Sequence, residues 1–138
     1  MNPHLANLIP LAGREKEAIR EFITRLEAVC AEDLYGVVLY GSKVRNEATP
    51  ESDIDLLLIM QNDDWPNRDN VTRIAAQISL AFDWLLSAHV ASLSHWQVMR
   101  HDPFVFYQHL FAEGIPLFGS PELFTAFTGH ETTAREIA

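Results

Sequence analysis

The chain is poor in cysteine, in basic residues and in long apolar runs. Its single cysteine, Cys30, excludes an internal disulfide framework and suits a reducing cytosol, so a cytoplasmic location is expected. No apolar run approaches the roughly 18 residues that a transmembrane helix needs. Met1–Pro10 has neither a positively charged stretch nor a clean apolar one, so it is not expected to be a secretory signal. Ten Lys and Arg stand against nineteen Asp and Glu, a net charge of −9. A nucleic-acid surface needs a basic stripe, and none is expected here; a basic partner fits the charge better. Internal repeats and low-complexity tracts are missing. His89, His95, His101 and His109 match no helix-face metal pair, so a zinc site is not expected.

What the chain does have is apolar residues, 48% of its 138 positions. That is enough for one real core, and a single domain is the expectation for 1–138. Met1–Gly13 reads as an irregular lead and Gly129–Ala138 as a polar, frayed tail.

The most informative stretch is Val37–Met60. Val37-Val38-Leu39-Tyr40 reads as a buried strand, broken by Gly41-Ser42. Ten residues later, Asp53-Ile54-Asp55 opens the run Leu56-Leu57-Leu58-Ile59-Met60. This run is apolar at nearly every position, as in a strand covered on both faces. Alternation puts Asp53 and Asp55 on one face and Ile54 on the other. Two like charges within about 7 Å at the mouth of a core repel each other. A divalent cation removes that cost, and Mg²⁺ suits hard carboxylate oxygens completed by waters and substrate phosphates. Gly41 lets backbone N–H groups turn toward an anion, and Ser42 adds a hydroxyl. A short helix opening at Ser42 would attract phosphate further. Phosphate cradle and metal carboxylates on adjacent strands are the parts that nucleotidyl transfer needs.

Gly41-Ser42, ten residues and then Asp53-Ile54-Asp55 resembles the signature of the polymerase-β-type nucleotidyltransferase superfamily. More narrowly, the chain resembles the minimal nucleotidyltransferases, small prokaryotic proteins paired with a HEPN-domain toxin. The likeness runs from Leu34 to about Phe118. It implies a small mixed sheet with a nucleotidyltransferase-like fold, ATP as substrate and one or two Mg²⁺ ions. It also implies a HEPN toxin as partner, with a tyrosine as acceptor, and a role as the antitoxin. Homo- or hetero-oligomers are compatible with it. Lys43 and Arg45 are candidates to neutralise triphosphate oxygens. The resemblance further implies a third carboxylate on the strand after the second helix, as metal ligand or general base. Asp83 is the only acid near that position, while Ser87 or His89 can occupy it instead. Two other readings stay open. One is a non-catalytic antitoxin that masks its toxin. The other is a small-molecule, aminoglycoside-type nucleotidyltransferase.

The rest of the chain supplies scaffold. Arg14–Glu32 reads as an amphipathic helix with Ile19, Phe22, Ile23, Leu26, Val29 and Cys30 on its core stripe. Gln61–Asn70 reads as a surface loop with Asp63-Asp64 as solvated acids and Asp69 or Asn70 as the next N-cap. Val71–Phe82 reads as a second core-facing helix. Asp83–Ser92 reads as a third strand, and Ser94 as the cap of a helix over His95–Arg100. Pro103–Glu113 reads as an aromatic helix stopped by Gly114, and Pro121–Phe127 as a short helix. Strands are expected near Leu34–Tyr40, Asp53–Met60, Trp84–Ala91 and Ile115–Phe118. The expected fold class is α/β (α+β), a mixed sheet of about four strands with helices mainly on one face.

Overall fold

The computed structural model describes residues 13–41, 53–99, 101, 108, 110 and 112–124. The expected lead before residue 13, the turn 42–52, most of 102–111 and the tail lie outside the described residues.

Helix α1 (Gly13–Cys30) leads into β1 (Leu34–Tyr40). Strand β2 (Ile54–Met60) follows, then α2 (Trp65–Phe82), β3 (Leu86–Ser92), α3 (Leu93–Met99), β4 (Ile115–Phe118) and a 3₁₀ turn at Pro121–Phe124. The sheet order is β3-β2-β1-β4. β1 is antiparallel to both β2 and β4, while β2 and β3 run parallel, joined across α2. A parallel pair needs such a crossover, and the apolar β2 is buried on both faces as that arrangement demands.

Alternation along β2 divides the core. Ile54, Leu56, Leu58 and Met60 enter the larger cluster, under α1 and α2. From α1 it takes Ala18, Ile19, Phe22, Ile23, Leu26 and Cys30; from α2 it takes Val71, Ile74, Ala75 and Ile78. Val29, expected on the same stripe, is 57% exposed, because the stripe curves past it toward Cys30. Burial pushes the Cys30 thiol up, as for a packing residue rather than a nucleophile. On the opposite face Leu57 and Ile59 join Val38, Ala91, Trp96, Met99, Leu110 and Phe124. The two long helices therefore share one face, and shorter elements cover the other. Trp96 is fully buried there. Its indole N–H donates to the Leu123 carbonyl at 3.0 Å, and its ring meets Phe124 edge-on, centroids 6.3 Å apart.

Helix starts differ most from expectation. α2 begins at Trp65, inside the stretch expected as a loop, and Asp64 rather than Asp69 or Asn70 is its N-cap. The Asp64 side chain accepts from the Asn67 N–H, and a proline occupies the first helical turn, where it sacrifices no bond. Asn67 is buried and donates to the Asn62 carbonyl at 2.9 Å. Asp63 pairs with Arg68 at 3.2 Å. Similarly, Ser92 rather than Ser94 accepts from the His95 N–H at the start of α3, at 3.1 Å. Among the described residues no helix is long and apolar enough to cross a membrane.

Candidate functional site

The face of β2 that carries Asp55, Leu57 and Ile59 begins polar and turns apolar. At its polar end, Asp55 is registered opposite Tyr40, the last residue of β1. Gly41 follows with φ +85°, a backbone conformation that favours glycine. An added Cβ at Gly41 would overlap the Asp55 carboxylate, with Asp55 Cγ only 3.2 Å away. The carboxylate is therefore seated directly against the bend. Asp53 immediately precedes β2 and by alternation shares the Asp55 face. Both aspartates are half-exposed, so they open to solvent rather than into the core. Of the residues expected at this site, Asp55 lies against the Gly41 bend and Asp53 directly precedes β2. Ser42, Lys43 and Arg45 lie outside the described residues.

Tyr40 was not anticipated from the sequence as part of this site. Its phenol is pushed up to about 12 by burial and by the negative charge of Asp55. Only the antiparallel register reveals it, since fifteen positions of chain separate it from Asp55.

Asp83 is placed elsewhere than expected. It is not the first residue of β3 but the cap of α2, in the left-handed conformation (φ 54°, ψ 45°). Its N–H and that of Trp84 both reach the Ser79 carbonyl, closing the helix end. β3 starts three residues later, with the Leu86 N–H donating to Ser79 Oγ at 3.0 Å. Asp83 is exposed, and among the described residues no three His, Cys, Asp or Glu side chains gather as a metal-holding group. The residue registered beside Asp55 on β3 is Ser87, with His89 beside Leu57. Ser87 Oγ and His89 Nε2 are 3.4 Å apart, within hydrogen-bonding reach.

Further along the same face lies an open cavity of about 360 Å³. Tyr40, Leu57, His89, Val90, Ala91, His95 and Met99 line it. Its floor is aliphatic and its rim carries two imidazoles and a phenol. A hollow of this size admits a planar ring or a side chain next to the carboxylates.

A donor set of two carboxylates beside a glycine bend fits a hard divalent cation that keeps waters and phosphate oxygens as its other ligands. It does not resemble the closed four-ligand cage of a structural metal.

Comparisons with known proteins identify the family. A family model described as "Polymerase beta, Nucleotidyltransferase" matches residues 25–122. Two proteins of Methanocaldococcus jannaschii are similar over about half of the chain. "Putative protein adenylyltransferase MJ0141" is 32% identical over 72 residues, 51% of this chain and 73% of that protein. "Putative protein adenylyltransferase MJ0604" is 31% identical over 78 residues, 56% of this chain and 74% of that protein. Among solved structures, a toxin–antitoxin crystallised with AMP-PNP shares the fold with a TM-score of 0.52 at 16% identity, over 91% of this chain and 86% of that one. A mutant MntA–HpeT toxin–antitoxin gives 0.51 at 16% identity over the same shares. With that match spanning most of the chain, the chain belongs to the polymerase-β-type nucleotidyltransferase family.

Proposed function

We propose that this chain transfers a nucleoside monophosphate, AMP from ATP, to a hydroxyl on a partner protein and acts as the antitoxin of a toxin–antitoxin pair. The observation that carries the reading is the Asp55 carboxylate seated against Gly41, with Asp53 on the same face. Asp53 and Asp55 would hold Mg²⁺. When bound, that ion neutralises phosphate charge and makes the α-phosphate a better electrophile. The Gly41-Ser42 bend would cradle the triphosphate, with Lys43 and Arg45 as its cationic support. The acceptor oxygen attacks the α-phosphate and pyrophosphate leaves with the electron pair of the broken bond. The names of the two archaeal relatives support a protein acceptor. The toxin–antitoxin neighbours support a toxin as that protein, and the AMP-PNP in one supports an adenine nucleotide. A HEPN-type toxin presenting a tyrosine is the specific partner proposed, in the cytoplasm. The acidic surface, net −9, suits a basic partner surface.

The test uses ATP labelled in its α-phosphate, Mg²⁺ and the product of the adjacent reading frame as acceptor. Wild type should place one adenylyl group on a hydroxyl of that protein, found by mass spectrometry. Asp53→Asn and Asp55→Asn should fold normally and transfer nothing. Absence of transfer by wild type defeats the reading. A masking antitoxin is the second reading, favoured by the lack of a third acid near Asp53 and Asp55 among the described residues. It requires Asp53→Asn to neutralise the toxin as well as wild type does.

A further inference from the structure

We infer that His89, positioned by Ser87, accepts the proton of the attacking hydroxyl. The inference rests on the transfer reading above and names the base of that same site.

The reaction forms one oxygen–phosphorus bond and breaks another. Pyrophosphate carries away the electron pair of the broken bond, and the acceptor's hydroxyl proton must pass to a base. Carboxylates bound to a divalent cation are poor proton acceptors, because the ion holds them in the charged form. That removes Asp53 and Asp55. β3 reads Leu86-Ser87-Ala88-His89-Val90-Ala91-Ser92 and carries no carboxylate.

The parallel register decides what stands next to Asp55. Ser87 is its partner on β3, and His89 is partnered with Leu57, two positions along the same face. Two residues of strand span about 7 Å, within reach of an imidazole that leans along the strand. The contact between Ser87 Oγ and His89 Nε2 at 3.4 Å supplies that lean, drawing the ring toward the Asp55 end. In the tautomer whose Nε2–H donates to Ser87 Oγ, the lone pair of Nδ1 is left for the substrate. His89 is exposed and lines the cavity, so a hydroxyl entering there meets it.

The other titratable groups on this face fit the task less well. Tyr40, from β1, holds its proton through the whole neutral range. His95 lines the same cavity, but from α3 rather than from β3, the strand registered beside Asp55. Asp83 is fixed at the end of α2, outside β3.

The test measures kcat and KM across pH for wild type, His89→Gln, Ser87→Ala and Asp83→Asn, with labelled ATP, Mg²⁺ and the adjacent-frame protein as acceptor. In wild type, kcat should rise from acid to neutral pH along a single-proton limb. His89→Gln should lower kcat by roughly 10²-fold or more, leave the KM for ATP within a factor of two, and lose that acid limb. Imidazole in the buffer should restore part of the rate to His89→Ala. Ser87→Ala should give a several-fold fall with the limb retained. Should His89→Gln fail to fold, imidazole rescue of His89→Ala and the Ser87→Ala profile decide the matter. A folded His89→Gln with wild-type kcat and an unchanged pH profile overturns the inference and leaves the transfer reading standing. Loss of the acid limb in Asp83→Asn instead would also overturn it. A wild type that transfers nothing defeats both.

Discussion

Replacing Gly41 by alanine separates the two demands that meet at the end of β1. The first is conformational. Gly41 sits at φ +85°, where an L-residue pays roughly 1–2 kcal/mol. The second is spatial. The new methyl group would overlap the Asp55 carboxylate, with Asp55 Cγ at 3.2 Å and Cβ at 3.3 Å from the added Cβ. Asp55 must then rotate away, at a further cost of about 0.5–1.5 kcal/mol if it leaves its rotamer. Together the terms amount to about 1.5–3.5 kcal/mol, or roughly 5–14 °C in the melting temperature of a chain this size. Melting followed by circular dichroism measures it. Gly13→Ala is the control, since a Cβ there meets nothing within 4 Å, and it should not lower the melting temperature. The consequence for transfer is larger than for stability. Displacing a reacting or coordinating group by about 1 Å costs on the order of 10²-fold in rate. Transfer of label from ATP should therefore fall at least that far at temperatures where Gly41→Ala is still folded. A variant that melts early but transfers at the wild-type rate would refute the claim that Asp55 must lie against the bend. One that melts like wild type would refute the contact itself.

Asp64→Ala removes the acceptor that caps α2 and should cost about 0.5–2 kcal/mol in urea unfolding, without touching the KM for ATP. Trp96→Phe leaves the Leu123 carbonyl without its indole donor; a loss of about 1–3 kcal/mol is expected, read by circular dichroism. Tyr40 gives a pH dependence. Its folded value, about 12, lies above the ordinary 10, so the native state holds the proton longer than the unfolded chain. Stability is unaffected below pH 10 and falls between pH 10 and 12. Denaturant unfolding across that range should show the slope, Tyr40→Phe should flatten it, and tyrosinate absorbance should show one phenol ionising late.

The sequence made the strands legible because β2 is apolar on both faces and Gly41 and the paired acids bracket it. The end of β1 and the start of β2 fall where they were expected. Helix starts were harder to read. Asp63-Asp64-Trp65-Pro66 has the composition of a loop, yet Asp64 caps and Pro66 fits a first turn, so the same residues begin α2. Apolar periodicity begins only at Val71, a turn and a half later, because the early face of α2 is held by polar anchoring through Asn67. Trp84 and Leu85 looked like strand from their side chains. The left-handed turn at Asp83 delays β3, and no periodicity rule registers a single residue of positive φ. That one turn decides the site, since it holds Asp83 off the strand and leaves Ser87 next to Asp55. Tyr40 and the cavity depend on pairing between distant segments, which composition does not encode.

The division of labour across the sheet explains how such a small chain carries an acidic site at all. Two aspartates at the mouth of a core would be destabilising if both faces of β2 needed to close over them. They do not, because Ile54, Leu56, Leu58 and Met60 send the main burial to the side of α1 and α2. On the Asp55 face, the cluster formed by the described residues gathers around Trp96 and Phe124 rather than around the strand starts. Among the described residues, the acidic end of β2 opens to solvent beside a hollow. Changes at the Trp96 cluster should accordingly move the melting temperature, while changes at Asp53, Asp55, Ser87 or His89 move chemistry with little effect on folding. Paired substitutions of Asp53 and Phe124 should add in unfolding free energy to within about 0.5 kcal/mol. A larger coupling would mean that the acidic end and the aromatic cluster are one structural unit.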